Sequence, residues 1–258
     1  LEHGAGAACF AGENGESVLL DCADAYAFKR RIAPSLRRLG VSPDSVVLTH
    51  PDGGHLGGGA PVWETLPIRQ ALLPVEKSRS PAFRSWVNEA PRAGVNTIQA
   101  EDVRSLPVPD GAILEVLHVP DPLSQNTIAD GRVMVCRLHW RGWKILLTSD
   151  AGMATELEML EANQDISADV IIAGRNRMDE ALCDAFLDAV NPRAIIASNS
   201  DFPSSENLDP RAVAYWRTRG IRVLDQGKSG GVTVRIDESG NLRLEGFVDH
   251  SVIILAPR

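Results

Sequence analysis

Nowhere in its 258 residues does the chain run apolar for the roughly 18–20 positions that cross a bilayer. The longest candidate, Ser251–Leu255, is short enough to read as a strand. The first ten residues lack the basic-then-apolar layout of a signal peptide. The chain as it stands therefore reads as a soluble body, which leaves membrane segments in a longer parent open. Cysteine is scarce: Cys9, Cys22, Cys136 and Cys183 form no CxxC pair, and each lies in or beside an apolar run. They are expected as buried free thiols; so few in so long a chain argue against a disulfide framework. Positive charge is also short. Lys plus Arg is 26 against 34 Asp plus Glu, a net charge of −8, which argues against a broad phosphate-gripping surface. A small nucleic-acid site with its own metal is not excluded by that balance. There is no exact repeat, no low-complexity tract and no linker long enough to part domains. Hydrophobic residues at 44% and charged ones at 23% set disorder, collagen and coiled coil aside.

What is present alternates between short β-branched runs and helical spacings. Strands are expected at Ser17–Asp21, Ser45–Thr49, Ala71–Pro74 and Ala112–His118. A further pair, Arg132–His139 and Trp143–Thr148, is expected to form a hairpin about Arg141-Gly142. Later strands are expected at Asp169–Ala173, Arg193–Ala197, Ile221–Leu224, Gly231–Ile236 and Leu242–Phe247. Helices are expected at Ala25–Leu39, ended by Gly40, and at Val62–Leu66, Pro81–Glu89, Ala154–Glu161, Glu180–Val190 and Pro210–Arg219. Two β-rich halves with helices between them predict one α/β domain over 1–258, with two sheets sandwiched by helices.

Chemistry concentrates in Leu48-Thr49-His50-Pro51-Asp52-Gly53-Gly54-His55-Leu56-Gly57-Gly58. A buried strand ends and delivers two imidazoles and a carboxylate within six positions, and the glycines let the loop turn tightly enough to aim them together. Imidazole nitrogen and carboxylate oxygen are ligands for zinc, manganese or iron. The plainer alternative is a polar turn whose histidines bond to backbone or solvent. A second acid, Asp150, follows the apolar strand Trp143–Thr148, placed either to hold a metal or to cap the next helix. Other schemes lack their residues: there is no Gly-x-Ser-x-Gly elbow and no His-Glu-x-x-His helix. Gly227-Lys228-Ser229 ends like a phosphate loop, but Arg222 stands where the upstream glycine belongs, so a hairpin turn is expected there.

The order of these motifs resembles the metallo-β-lactamase superfamily, and within it the extramembrane domain of ComEC-type DNA-uptake competence proteins. The resemblance rests on Leu19-Leu20-Asp21, on His50-Pro51-Asp52-Gly53-Gly54-His55-Leu56-Gly57-Gly58, and on Leu146-Leu147-Thr148-Ser149-Asp150. It continues through Phe186–Ile196 and Gly230-Gly231-Val232-Thr233-Val234, nearly the whole chain in the right order. It implies a four-layer αββα sandwich, and it implies His50, Asp52, His55 and Asp150 as metal ligands, with Asp21 as a supporting acid.

The departures from that pattern are specific. Gly54 stands where the family has a metal-binding aspartate, and Gly174-Arg175-Asn176 where it has His-His-Gly. No histidine occurs across Pro120–Asn126, where Asn126 holds the general position of another ligand. His118, just upstream, reads as a strand-end residue. Arg175 would bring a positive charge to the vacated second site. The resemblance thus implies a degenerate domain holding no metal or one divalent ion, zinc or manganese, with weak or no hydrolase activity. The open alternatives are a single-metal nuclease or phosphodiesterase on incoming single-stranded DNA, a hydrolase of another ester, and a non-catalytic structural or partner-binding module. Membrane channel segments of a longer parent are the other expected partners, which would place the domain on the extracytoplasmic face.

Overall fold

The computed structural model of the protein describes residues 6–75, 78–120, 133–174, 181–199 and 207–258. The chain divides into two compact units between Cys136 and Arg137. Among the described residues no helix is long and apolar enough to cross a membrane.

The first unit opens with β1 (Ala8–Ala11) and β2 (Ser17–Leu20). Next come a helical stretch formed by α1 (Ala25–Ala27), a π-helical segment (Phe28–Ile32) and α2 (Ala33–Leu39), and then β3 (Ser45–Val47). The unit continues with α3 (Ala60–Thr65), β4 (Gln70–Leu73), α4 (Pro81–Glu89) and β5 (Asn96–Gln99). Its sheet has the order β1-β2-β3-β4-β5. Only β1 is antiparallel; β2 to β5 are parallel neighbours joined by helical crossovers. That explains why Ser17–Leu20 is buried at every position: a parallel strand covered on both faces has no polar side to alternate with. Leu19, Phe28, Val46, Leu48, Phe83 and Trp86 belong to one buried cluster. Beyond it, β6 (Ser105–Pro107) pairs antiparallel with β7 (Ile113–His118).

The helix expected over Ala25–Leu39 is present but not uniform. Asp24 caps it, its Oδ1 accepting from the Ala27 amide at 2.8 Å. Pro34 brings no amide hydrogen and crowds the carbonyl four residues back, and a wider turn directly precedes it. Gly40, at φ 68°, ends the stretch. Three strands, β1, β5 and β6, were not expected from the sequence. The edge strand β5, Asn-Thr-Ile-Gln, offers one apolar residue, and β6 is three residues long.

The second unit takes over within β8 (Val135–Trp140), which spans the division, and continues with β9 (Trp143–Ser149). Arg141 and Gly142, at φ 49° and 86°, form the two-residue turn between them, with the left-handed pair a type I′ hairpin needs. Then come α5 (Met153–Glu161), β10 (Val170–Ala173), α6 (Asp184–Val190), β11 (Ala194–Ala197), α7 (Pro210–Thr218) and β12 (Arg222–Asp225). Strands β9, β10, β11 and β12 are parallel neighbours. A single helical turn, α8 (Gln226–Ser229), leads to an antiparallel sheet of β13 (Val232–Ile236), β14 (Leu242–Gly246) and β15 (Val252–Leu255).

Three local expectations need correction. Gly227-Lys228-Ser229 is part of that helical turn, not a hairpin turn, because Asp225 Oδ1 accepts from the Gly227 amide at 3.0 Å and starts a helix there. Helix α6 starts at Asp184, later than expected. Leu182 is left-handed at φ 61°, and the buried Glu156 carboxylate takes the amides of Leu182 and Cys183. Of the four free cysteines, Cys22 and Cys136 are buried, while Cys183 is half-buried and Cys9, on β1, is exposed. On an edge strand, alternate residues turn to solvent.

Candidate functional site

β3 runs out at Val47, and the chain continues through the buried Leu48, Thr49 and His50 into the glycine loop. The loop is folded back onto the β2 end by its backbone. The Cys22 amide donates to the His55 carbonyl, and the Gly57 amide to the Ala23 carbonyl, both at 2.7 Å. Gly57, Gly58 and Gly59 are all left-handed, with φ 60°, 77° and 68°. A Cβ at Gly57 would lie 2.7 Å from the Cβ of Cys22, and one at Gly58 would lie 2.5 Å from that of Ala25. Glycine is thus required twice over, for backbone conformation and for contact.

Asp21 organises the loop. It is itself left-handed (φ 54°), which turns its carboxylate off the end of β2 and under the loop. Its Oδ1 accepts from the Thr49 amide at 2.7 Å. Its Oδ2 accepts from Thr49 Oγ1 at 2.5 Å and from His55 Nδ1 at 3.0 Å. All three residues are buried, so each charge-assisted bond replaces water that folding removed. The Nδ1 bond fixes the His55 ring and leaves Nε2 facing Asp52 Oδ1 at 3.8 Å. The His50 ring stacks on that of His55 with centroids 4.4 Å apart and planes 24° apart. Burial, and then the charge of His55, pushes the His50 pKa well below its usual value, so His50 is neutral at neutral pH. Asp52 turns back on the loop, its Oδ1 accepting from the Gly54 amide at 2.9 Å.

Asp150 belongs to the second unit. β9 and β10 shift register between Ile172 and Ala173, and Ser149 takes φ 49°, so the strand end kinks just before the acid. The Gly174 amide donates to the Ser149 carbonyl at 2.7 Å. A Cβ at Gly174 would lie 2.1 Å from Asp150 Oδ1 and 2.5 Å from the Ser149 carbonyl oxygen. The buried Asp150 carboxylate therefore rests on a bare glycine backbone.

Of the residues singled out in the sequence, the structure brings His50, His55 and Asp52 together in the first unit and adds Asp21 to them. Asp150 sits at the strand end where it was expected, in the second unit. His118 ends β7, and burial lowers its pKa to about 4. Asn126, Arg175 and Asn176 lie outside the described residues. Sequence reasoning missed Thr49 and Gly174. Thr49 had a signal in its place directly before His50, at a strand end facing a second strand that also ends in an acid.

A zinc ion bound for catalysis takes about three protein ligands at roughly 2.0–2.3 Å. Among the described residues no group of three or more His, Cys, Asp or Glu side chains is placed to hold one ion. The loop shows why. Asp52 Oδ1 accepts from the Gly54 amide and position 54 has no side chain, while His55, held through Nδ1 by Asp21, offers Nε2 alone. These donors alone do not fit a metal.

The chain belongs to the metallo-β-lactamase superfamily, whose family model matches residues 4–196. The α/β fold expected from the sequence is that of solved members. Zn(2+)-bound PqqB from Methylobacterium extorquens superposes with a TM-score of 0.52 at 12% identity, covering 84% of each chain. The metallo-β-lactamase fold protein YhfI from Bacillus subtilis gives 0.51 at 10% identity, over 82% of this chain and 85% of that one. In sequence, the chain is similar to ComE operon protein 3 of Bacillus subtilis (strain 168), 22% identical over 214 residues. That match covers 79% of this chain and 26% of the relative, so the chain spans about a quarter of that protein's length.

Proposed function

We propose that this chain is a degenerate metallo-β-lactamase-fold domain of the kind found in DNA-internalisation competence proteins, with weak hydrolase activity or none, and that its two units work as one domain. The likeness to ComE operon protein 3 supports the competence context, with incoming single-stranded DNA and the channel segments of a parent chain as partners. One observation supports weak or absent activity: the Asp21 carboxylate closes the histidine loop through Thr49 and His55, and among the described residues no group of three or more His, Cys, Asp or Glu side chains is placed to hold an ion. The loop's shape comes from protein groups, so it needs no ion to hold it.

A second reading is favoured by one distance. Nε2 of His55 and Oδ1 of Asp52, 3.8 Å apart, are close to the roughly 3.4 Å that separates two ligands of one tetrahedral zinc ion. A single-metal nuclease or phosphodiesterase would draw ligands from His50, Asp52 and His55 of the first unit, with others to complete the set, and the ion would supply an activated water. The protein's own part would be Asp21 holding the His55 ring and the glycines holding the loop. Metal analysis after loading with Zn²⁺ or Mn²⁺ separates the readings. The degenerate reading expects less than 0.1 mol of tightly held metal per mole (an order-of-magnitude threshold, about a tenth of one site) and no cleavage of a single-stranded oligonucleotide. One equivalent lost in His50→Ala, together with cleavage, would replace it by the single-metal enzyme.

A further inference from the structure

At the other end of the second unit's strands, away from Asp150, arginines gather on one carboxylate. Asp169 precedes β10; the Arg193 amide donates to its carbonyl at 2.8 Å, and the Arg222 amide to the Arg193 carbonyl at 3.1 Å. Asp169 and Arg193 therefore stand side by side just before β10 and β11, and Arg222, paired with Ala194, begins β12 one position further along. The Asp169 carboxylate accepts from the Lys144 amide at 3.1 Å, and its Oδ1 faces Arg258 Nε at 3.1 Å and Arg193 Nη1 at 3.7 Å. The Arg193 guanidinium lies over the Trp143 ring, 5.5 Å from its centroid, and its Nη1 is buried without a hydrogen bond. Arg222 and Arg258 are exposed, yet each is pinned: Arg222 Nη1 donates to the Ile254 carbonyl at 2.7 Å and Arg258 Nη2 to the Asn191 carbonyl at 2.8 Å.

Two guanidinium groups thus meet one carboxylate and a third lies within reach of Arg193's charge, in a chain whose net charge is −8. Among the described residues Arg222 has no ion-pair partner, and Arg193 repels it. Folding has collected like charges here against the sign of the whole molecule, and held two of them with backbone carbonyls. A guanidinium presents five donors, and one or two are used at each exposed arginine, so forks remain for an anion. Pinned, planar forks suit the paired oxygens of a discrete phosphate; a lipid surface is served as well by mobile cations that follow it.

We propose that Arg193, Arg222 and Arg258 form a binding site for a phosphodiester group of a nucleic-acid strand, at the strand-start edge of the second unit. The choice of a nucleic-acid strand rests on the proposed competence context; the anion site itself rests on the arginines. It lies apart from the histidine loop and needs neither metal nor cleavage.

The test is binding of a fluorescent single-stranded oligonucleotide to the full chain across a salt series. The double variant Arg222→Gln/Arg258→Gln changes only exposed side chains, and its melting temperature checks the fold. It should bind about tenfold more weakly, and the slope of log K against log salt should flatten by about 0.7, one phosphate contact. Arg243→Gln, on the sheet of β13–β15, should change neither. Affinity and slope equal to wild type in the double variant would overturn the proposal. So would arginine-dependent binding to phosphatidylglycerol vesicles with none to the oligonucleotide. The readouts also keep the two proposals apart. Arginine-dependent strand binding in a protein that takes up metal and cleaves DNA would sink the degenerate reading alone, and arginine-independent binding by a metal-free protein would sink only this one.

Discussion

Asp21 carries more of the loop than its size suggests. Replacing it by Ala would strand the Thr49 amide and His55 Nδ1 in a buried setting and put an alanine at φ 54°, which Asp and Asn tolerate better. Asp21→Ala should cost about 2–4 kcal/mol in urea unfolding, and Asp21→Asn, which keeps an acceptor and the backbone preference, about half of that. His118 and His50 set a pH dependence of definite sign. Burial lowers the pKa of both in the folded state, to about 4 for His118, so the unfolded chain binds more protons below pH 6.5. Stability should therefore be constant above that pH and fall as pH drops from 6.5 toward 4. By linkage His118 accounts for at most about 3 kcal/mol of the loss. His118→Gln should flatten the fall in denaturation curves taken at pH 7, 5.5 and 4; an unchanged fall would remove His118 as its source. His50, Asp52, His55 and Asp150 were legible in the sequence because imidazoles and acids at strand ends stand out by type. Thr49 was not, because its part depends on a carboxylate 28 positions away.

Among elements, the end of β9 is the most constrained. Ser149 adopts a left-handed conformation that glycine takes at no steric cost, and Gly174 lies flat against the Asp150 carboxylate. Ser149→Gly should be neutral or stabilising by up to about 1 kcal/mol. Gly174→Ala must push Asp150 Oδ1 or the Ser149 carbonyl aside and should cost at least about 2 kcal/mol. Thermal denaturation of the two variants checks both, and a Gly174→Ala protein as stable as wild type would show that the strand end yields freely. Most strands could be read in advance because parallel, doubly covered strands are continuous apolar runs, as in Val170–Ala173 and Ala194–Ala197. The misses were edge strands such as β5, whose pairing is decided by a neighbour far along the chain and not by their own composition.

For the molecule as a whole, β8 matters most, since its residues fall on both sides of the division between the units. A cut between Cys136 and Arg137 would break a strand, so the full chain should melt in one calorimetric transition, and two resolved transitions would count against a single domain. Because the histidine loop is closed by Asp21 and by glycine backbone, EDTA should leave that transition within about 1 °C of its value, well short of the several degrees that losing a 1–2 kcal/mol structural ion would cause.

Position 54 has a bearing on what the proposed degenerate reading finds missing. Its φ lies outside the left-handed region, and an added Cβ would meet nothing nearer than Asp52 Oδ1, at 3.3 Å. An aspartate grafted there would find the main chain already shaped to receive it. On the proposed reading, building a metal centre into this loop would be a matter of re-dressing a scaffold whose form is already in place.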